Sequence, residues 1–220
     1  IAARHQIIPS LMAKWSARLP GCSGHVHQSL WDKDGKTNLF YDPSDKHGMS
    51  KLFKSYVAGQ LACLPYILPM YAPTVNSYKR LVEGAWAPTT VSWGIDNRTT
   101  ALRVLNVSKK LTRLETRIPG SDCNPYLAMA ACMASGIYGI KNKLSLDMLP
   151  TIGSGYGVEE SNRLASNLWD ATQRMKTSPV ASELFGPLFV DHFTKSREFE
   201  WKLFSDHVTD WELKNYFEII

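Results

Sequence analysis

Polar and apolar positions alternate over residues 24–31, placing His25, His27 and Ser29 on one face and Val26, Gln28 and Leu30 on the other, which predicts a strand with one chemically active side. Asp34-Gly35 predicts a hairpin turn into residues 38–41. Ser50 is an N-cap candidate, and Leu52, Phe53, Tyr56, Val57, Leu61 and Leu64 then recur at helical spacing until Pro65 and Pro69, which are expected to stop the helix. Residues 76–91 carry Gly and Pro without a clean period and read as a loop, the place where ligand contacts concentrate. Two further alternating stretches, residues 99–105 and 111–118, predict strands joined through 106–110. Asn124-Pro125 opens a helix whose run to Lys143 is apolar nearly all round, as a buried helix would be. A Gly-rich link over residues 153–157 leads to a helical tail, with Ser178-Pro179 as one start and the capping box Thr209-x-x-Glu212 as another.

With 220 residues and 44% hydrophobic content, the chain can bury a sizeable core and fits one domain or a large piece of one. Its net charge of +5 comes without a Lys/Arg-rich run or aromatic-interleaved platform, so nucleic acid is not expected as a partner. The apolar stretches are broken by proline or too short to span a bilayer, so no membrane association is expected. Cys22, Cys63, Cys123 and Cys132 form no C-x-x-C pair, which favours a reducing, cytoplasmic setting. The first residue is Ile1 rather than Met, setting the expectation of a piece of something longer.

The chemistry concentrates in Arg113-Leu114-Glu115-Thr116-Arg117. Period-two geometry puts both guanidinium groups and the carboxylate on one face. One reading is an ion-pair ladder; the other is a metal-ligating Glu between phosphate clamps, since hard cations take carboxylate oxygens and Arg forks match phosphoryl oxygens. His25 and His27 are open in the same way, as hydrogen-bonded core residues or as ligands. Arg80, Arg98 and Arg103 weigh toward the functional readings, because so many cations near one His and one Glu need an anionic partner such as a metal-bound polyphosphate. The sequence has no G-x-x-x-x-G-K-[ST] loop, which excludes a P-loop enzyme.

Five ordered motifs, residues 24–29 (Gly-His-Val-His-Gln-Ser), 76–82 (Asn-Ser-Tyr-Lys-Arg-Leu-Val), 96–98 (Asp-Asn-Arg), 113–117 (Arg-Leu-Glu-Thr-Arg) and 124–127 (Asn-Pro-Tyr-Leu), resemble the C-terminal half of the catalytic domain of class I glutamine synthetases. The resemblance implies an α+β fold in which a curved antiparallel sheet carries the site and helices pack outside it. Residues 1–145 would hold the metal, ATP and glutamate motifs, and 146–220 the helical remainder of the same domain. It further implies an ATP-dependent ligase that joins ammonia or an amine to the side-chain carboxylate of glutamate through a γ-glutamyl phosphate, with Mg or Mn. By position, His25 and Glu115 match metal ligands, and His27 and Ser29 match the nucleotide-contacting side of the same strand. Arg80 and Gly21 match contacts to the glutamate. Arg98 and Arg117 match the catalytic pair around substrate and transferred phosphoryl group, while Arg103, Lys110 and Arg113, with Arg98, match ATP contacts. Trp86 stands where ammonium-using members carry a Glu, and Glu83 where they carry a Pro; an indole accepts no proton, so an apolar wall for a larger amine is implied there. The family's other metal-ligating glutamates and its β-grasp domain are expected upstream of this chain. A homo-oligomer, a dodecamer of two hexameric rings, is implied as well. A non-catalytic, lengsin-like structural relative is the alternative, against which the retained His25, Arg80, Arg98, Glu115 and Arg117 count. A guanidino kinase, of related architecture, is disfavoured by the Asn-Ser-Tyr-Lys-Arg loop and the His-x-His strand.

Overall fold

The structure, a computed structural model, describes residues 1–156 and 162–219. Gly157, the end of the expected Gly-rich link, lies outside the described residues. Four short strands, β1 (Val26–Gln28), β2 (Trp93–Ile95), β3 (Leu102–Leu105) and β4 (Arg113–Thr116), form one sheet in the order β1-β4-β3-β2. Among the described residues there are seven α-helices: α1 (Lys51–Ile67), α2 (Val75–Arg80), α3 (Pro125–Lys141), α4 (Leu168–Lys176), α5 (Pro179–Phe185), α6 (Pro187–Ser205) and α7 (Asp210–Tyr216). The α+β class therefore stands, and β1-β4-β3 is antiparallel as expected. The edge strand β2 departs from that pattern by running parallel to β3. A parallel neighbour normally needs a long crossover. Here β2 is three residues long, so residues 96–101 have only about 10 Å to climb back and enough chain to do so.

The expected strands shorten where pairing ends. Residues 24–31 keep β1 and the isolated bridge Trp31↔Asn38, a second bridge, Ser23↔Gly120, lies just before them, and Gly35 takes the turn at φ +67°. Helix α1 starts at Ser50, whose hydroxyl accepts from the Phe53 amide at 3.1 Å. Pro65 does not stop it. Buried Leu61, Leu64 and Ile67 hold the last turn in place, and the chain leaves through a 3-10 turn over Leu68–Met70. Part of the expected 76–91 loop is helix α2, capped by Thr74 and Ser77 in a reciprocal box. Six residues show too little of the helical period to be read, and Ser at the third position falls outside the usual Glu/Gln box. Helix α3 is capped by Asn124 as predicted, but only Ala128, Ala131, Cys132, Ser135, Gly136 and Gly139 are buried; Tyr126, Met129 and Met133 lie open.

Beneath the sheet, Phe40, Phe53, Tyr56, Val57, Leu102, Val104 and Leu114 form one core cluster. A second joins Leu64, Ile67 and Tyr71 to Ala128, Leu168, Met175 and Phe193. Helices α1 and α3 meet almost backbone to backbone, because a Cβ on Gly139 would lie 2.0 Å from the Ser55 carbonyl oxygen. Above that contact runs a polar network. Gln28 Nε2 donates to Thr116 Oγ1 at 2.9 Å, Gln28 Oε1 accepts from Tyr56 Oη at 2.9 Å and Gln60 Nε2 at 2.6 Å, and Thr116 Oγ1 donates to Gln60 Oε1 at 2.7 Å. Such a satisfied network fixes β1 and β4 in register over the helices, and so fixes what their other face carries. Among the described residues, no helix is long and apolar enough to cross a membrane.

Candidate active site

Glu115 is the centre of that other face. The sheet register sets His27 opposite it on β1 and Arg103 opposite it on β3, while Leu114 turns into the core. Its carboxylate is buried and accepts from His25 Nδ1 at 2.9 Å, Arg117 Nη1 at 2.8 Å and Arg103 Nη1 at 2.9 Å, with His27 Nε2 at 3.8 Å. Burial alone would raise its pKa; hydrogen bonds from His25 and Arg103 and the Arg117 charge outweigh burial and hold it at about 2. Burial pushes the His27 imidazole down, with Arg113 adding to the effect against Glu115. Arg113 reaches the site through His27, donating to its Nδ1 at 3.1 Å.

Arg117 is buried and connects three groups. Its Nη1 meets Glu115, its Nε donates to the Arg98 carbonyl at 3.1 Å, and its own carbonyl accepts from Arg80 Nη2 at 3.1 Å. Arg80 also donates to the Ile118 carbonyl at 2.8 Å, and burial lowers its pKa to about 10, leaving it cationic at neutral pH. Gly21 gives it room: a Cβ there would stand 2.8 Å from Arg80 Cγ and 2.5 Å from the Ala13 carbonyl oxygen. Arg103 is shared between Glu115 and Asp96, whose carboxylate takes its Nε at 2.9 Å and its Nη2.

Two openings flank this array. His25 and His27 line a cavity of about 550 Å³ with Cys123, Pro125 and Met129, and the buried His25 Nε2 has no hydrogen-bond partner among the described residues. On the β2 side, Trp86, Ile95, Asp96, Arg98 and Ile152 line a cleft of about 680 Å³. Trp86 is 63% exposed, with φ +58°, a left-handed conformation uncommon for a bulky residue. The substituted Glu83 forms an ion pair with Arg163 at 2.9 Å.

The structure thus brings His25, His27, Arg103, Arg113 and Arg117 together around Glu115, with Arg80 attached behind. Arg98 and Trp86 sit across the Arg117 bridge. Ser29 and Lys110 stand outside the array: the Ser29 hydroxyl accepts from Trp31 Nε1 at 2.9 Å, and Lys110 is exposed on the β3–β4 connection. Sequence reasoning missed Asp96 as the partner of Arg103, and Gln28 and Gln60 beneath the sheet. A Gln within the apolar run of α1 was the available signal for the latter.

The His25 Nε2 and the Glu115 carboxylate have the chemistry of ligands to a hard divalent ion, one a buried nitrogen lacking a partner and the other an anion. Among the described residues, no group of three His, Cys, Asp or Glu side chains is placed to hold a metal ion.

The sequence pattern of the glutamine synthetase catalytic domain matches residues 1–216. The chain is 50% identical over 224 aligned positions to type-1 glutamine synthetase 2 of Dictyostelium discoideum, covering 100% of this chain and 43% of that protein. It is 40% identical to a glutamate–isopropylamine ligase of a Pseudomonas species, covering 100% of this chain and 48% of the relative. In structure it resembles ligand-free GmaS with a TM-score of 0.86 at 30% identity, over 99% of this chain and 50% of that one. The chain thus spans about half the length of these relatives. With one pattern matched nearly end to end, the chain belongs to the glutamine synthetase catalytic-domain family.

Proposed function

We propose that the protein carrying this chain is an ATP-dependent ligase that joins ammonia or an amine to the side-chain carboxylate of glutamate, with Mg or Mn. The observation that carries this reading is the buried Glu115 carboxylate, ringed by His25, Arg103 and Arg117, in a chain of this family. His25 and Glu115 would hold a divalent ion together with ligands from elsewhere in the protein. When bound, such an ion neutralises charge on phosphoryl oxygens.

The chain's own residues supply the rest. Arg103 and Arg113, with Lys110, offer cations to the nucleotide phosphates, and His27 and Ser29 the strand beside them. A glutamate carboxylate oxygen attacks the γ-phosphorus, the bond to the bridging oxygen of ADP breaks, and the acyl phosphate forms between Arg98 and Arg117, which neutralise its charge without reorganising. Arg80 has spent two of its N–H donors on carbonyls and retains others for the substrate α-carboxylate, beside Gly21. The amine nitrogen then attacks the activated carbonyl carbon and phosphate leaves. Trp86 accepts no proton, and with Ile95 and Ile152 it offers an apolar wall that favours an alkylamine over ammonium. The names of the isopropylamine ligase and a γ-glutamylethanolamide synthetase of Streptomyces coelicolor, 40% identical, support that preference. A cytoplasmic homo-oligomer, dodecameric by resemblance, is part of the same proposal; exposed Trp211 and Tyr216 on α7 and Phe217 just after it support a subunit contact.

ATP hydrolysis measured with glutamate and each of ammonium, methylamine, isopropylamine and ethanolamine tests the reading. Hydrolysis that needs both glutamate and an amine is expected, with weaker Mn binding by calorimetry in His25→Ala. No stimulation by any of these amines overturns it.

A further inference from the structure

The turn between β2 and β3 is attached to its surroundings at each of three successive residues. Asp96, left-handed at φ +48°, is held by Arg103, and the Arg98 carbonyl is held by Arg117 Nε. Asn97 between them is the most heavily bonded. Its Nδ2 donates to the carbonyls of Thr151 at 3.1 Å and Gly153 at 2.9 Å, and its Oδ1 accepts from the Thr99 amide at 3.0 Å and the Thr99 hydroxyl at 2.7 Å. Every bonding position of the carboxamide is used. The Thr99 hydroxyl accepts in turn from the Gly155 amide at 2.7 Å. Glycine at 94 is what allows this approach, since a Cβ there would lie 2.8 Å from Asn97 Cβ and 3.1 Å from the Thr151 carbonyl oxygen.

The residue that follows behaves in the opposite way. The Arg98 guanidinium is exposed, lines the 680 Å³ cleft, and makes no hydrogen bond or ion pair among the described residues. An arginine whose backbone is fixed on both sides and whose cation is left uncommitted is arranged to meet an anion at one place. Its reach is then set by the backbone, and the backbone by Asn97.

We propose that Asn97 is a positioning residue for Arg98: its carboxamide ties the 96–99 turn to the 151–155 segment and so sets where the guanidinium meets the transferred phosphoryl group. This rests on the ligase reading above. Without the Asn97 carboxamide the turn keeps the Arg103–Asp96 pair and the Arg117 bond to the Arg98 carbonyl but loses its side-chain tie to the Thr151 and Gly153 carbonyls, and a displacement of about 1 Å at a charge-stabilising group can cost about 100-fold in rate.

The test is a double-mutant cycle in the full-length protein. Asn97→Asp keeps the shape and removes both N–H donors, aiming a carboxylate at two carbonyls. It should lower kcat about 10- to 100-fold with KM for ATP nearly unchanged, because the contact matters in the transition state. In an Arg98→Ala background it should lower kcat no further. Thr99→Val, which only removes the hydroxyl between Asn97 and Gly155, gives a milder variant if Asn97→Asp folds poorly, and should show a smaller fall with the same lack of effect on Arg98→Ala. Hydrogen exchange at the Gly155 amide reads the tie without turnover: it should lose protection in Thr99→Val, which removes its acceptor, and in Asn97→Asp, where the carboxylate repels the Thr151 and Gly153 carbonyls. Wild-type kcat in Asn97→Asp, equal losses in both backgrounds, or unchanged exchange at the Gly155 amide would overturn the proposal. No turnover by the wild type overturns the ligase reading instead, and the exchange result still decides whether Asn97 holds the turn.

Discussion

Glu115→Ala is the most informative perturbation of the central array, because the carboxylate is both a ligand candidate and the counter-charge for two arginines. Removing it leaves Arg117, 5% exposed, beside Arg103 with no anion between them. Breaking a buried ion pair from one side costs about 3–5 kcal/mol. Arg103 keeps Asp96 and Arg117 keeps the Arg98 carbonyl, so the lower end, about 3 kcal/mol, applies. For a chain of this size that corresponds to a melting temperature lower by about 6–12 °C. Glu115→Gln retains the shape and an acceptor and should fall between variant and wild type. The pH dependence has a definite sign. The folded carboxyl sits at about 2, below its ordinary value of 4.5, so its contribution is fully present above that ordinary value and drains as pH falls through about 2. Acid unfolding of the Ala variant should therefore lack the part of the curve between those limits. Thermal melts from neutral to acid pH by circular dichroism decide the matter. A melting temperature within about 1 °C of wild type at neutral pH, with the same acid profile, would falsify the assignment of Glu115 as counter-charge.

Gly139→Ala should destabilise despite Ala being the better helix former by about 1 kcal/mol, since its methyl group would press on the Ser55 carbonyl and the Gly59 amide. Overpacking of this kind costs about 1–3 kcal/mol or more, and a denaturation midpoint at or above wild type would show that α1 and α3 do not meet so closely. Trp86→Glu should shift the kcat/KM ratio between ammonium and a larger amine by about ten-fold or more toward ammonium, the equivalent of about 1.5–3 kcal/mol of lost apolar contact. A parallel fall for every amine, with a lowered melting temperature, rejects Trp86 as the specificity residue.

Periodicity and capping chemistry were enough to place α1, α3, α5 and α7 at their starts, because Ser50, Asn124-Pro125, Ser178-Pro179 and Thr209-x-x-Glu212 act within one turn of themselves. Alternation likewise put Glu115 and its flanking arginines on one face and Leu114 in the core, a consequence of strand geometry that no partner can change. The polar motifs, being local, were also enough to suggest the family. What local sequence could not carry was anything set by two distant segments. The parallel pairing of β2 depends on where the 96–101 return finds room, and α2 is too short to display a period. Whether Glu115 is an exposed ladder rung or a buried hub turned on His25, just before β1, and Arg103, on β3, arriving on either side of it. The division of the arginines was tertiary as well: Arg80 and Arg117 are committed to carbonyls and a carboxylate, whereas Arg98 is left open, and nothing in the residue type distinguishes them. Burial creates that difference, since a guanidinium removed from water must satisfy donors on protein, whereas the one left at the rim of the cleft keeps all of its donors for a ligand.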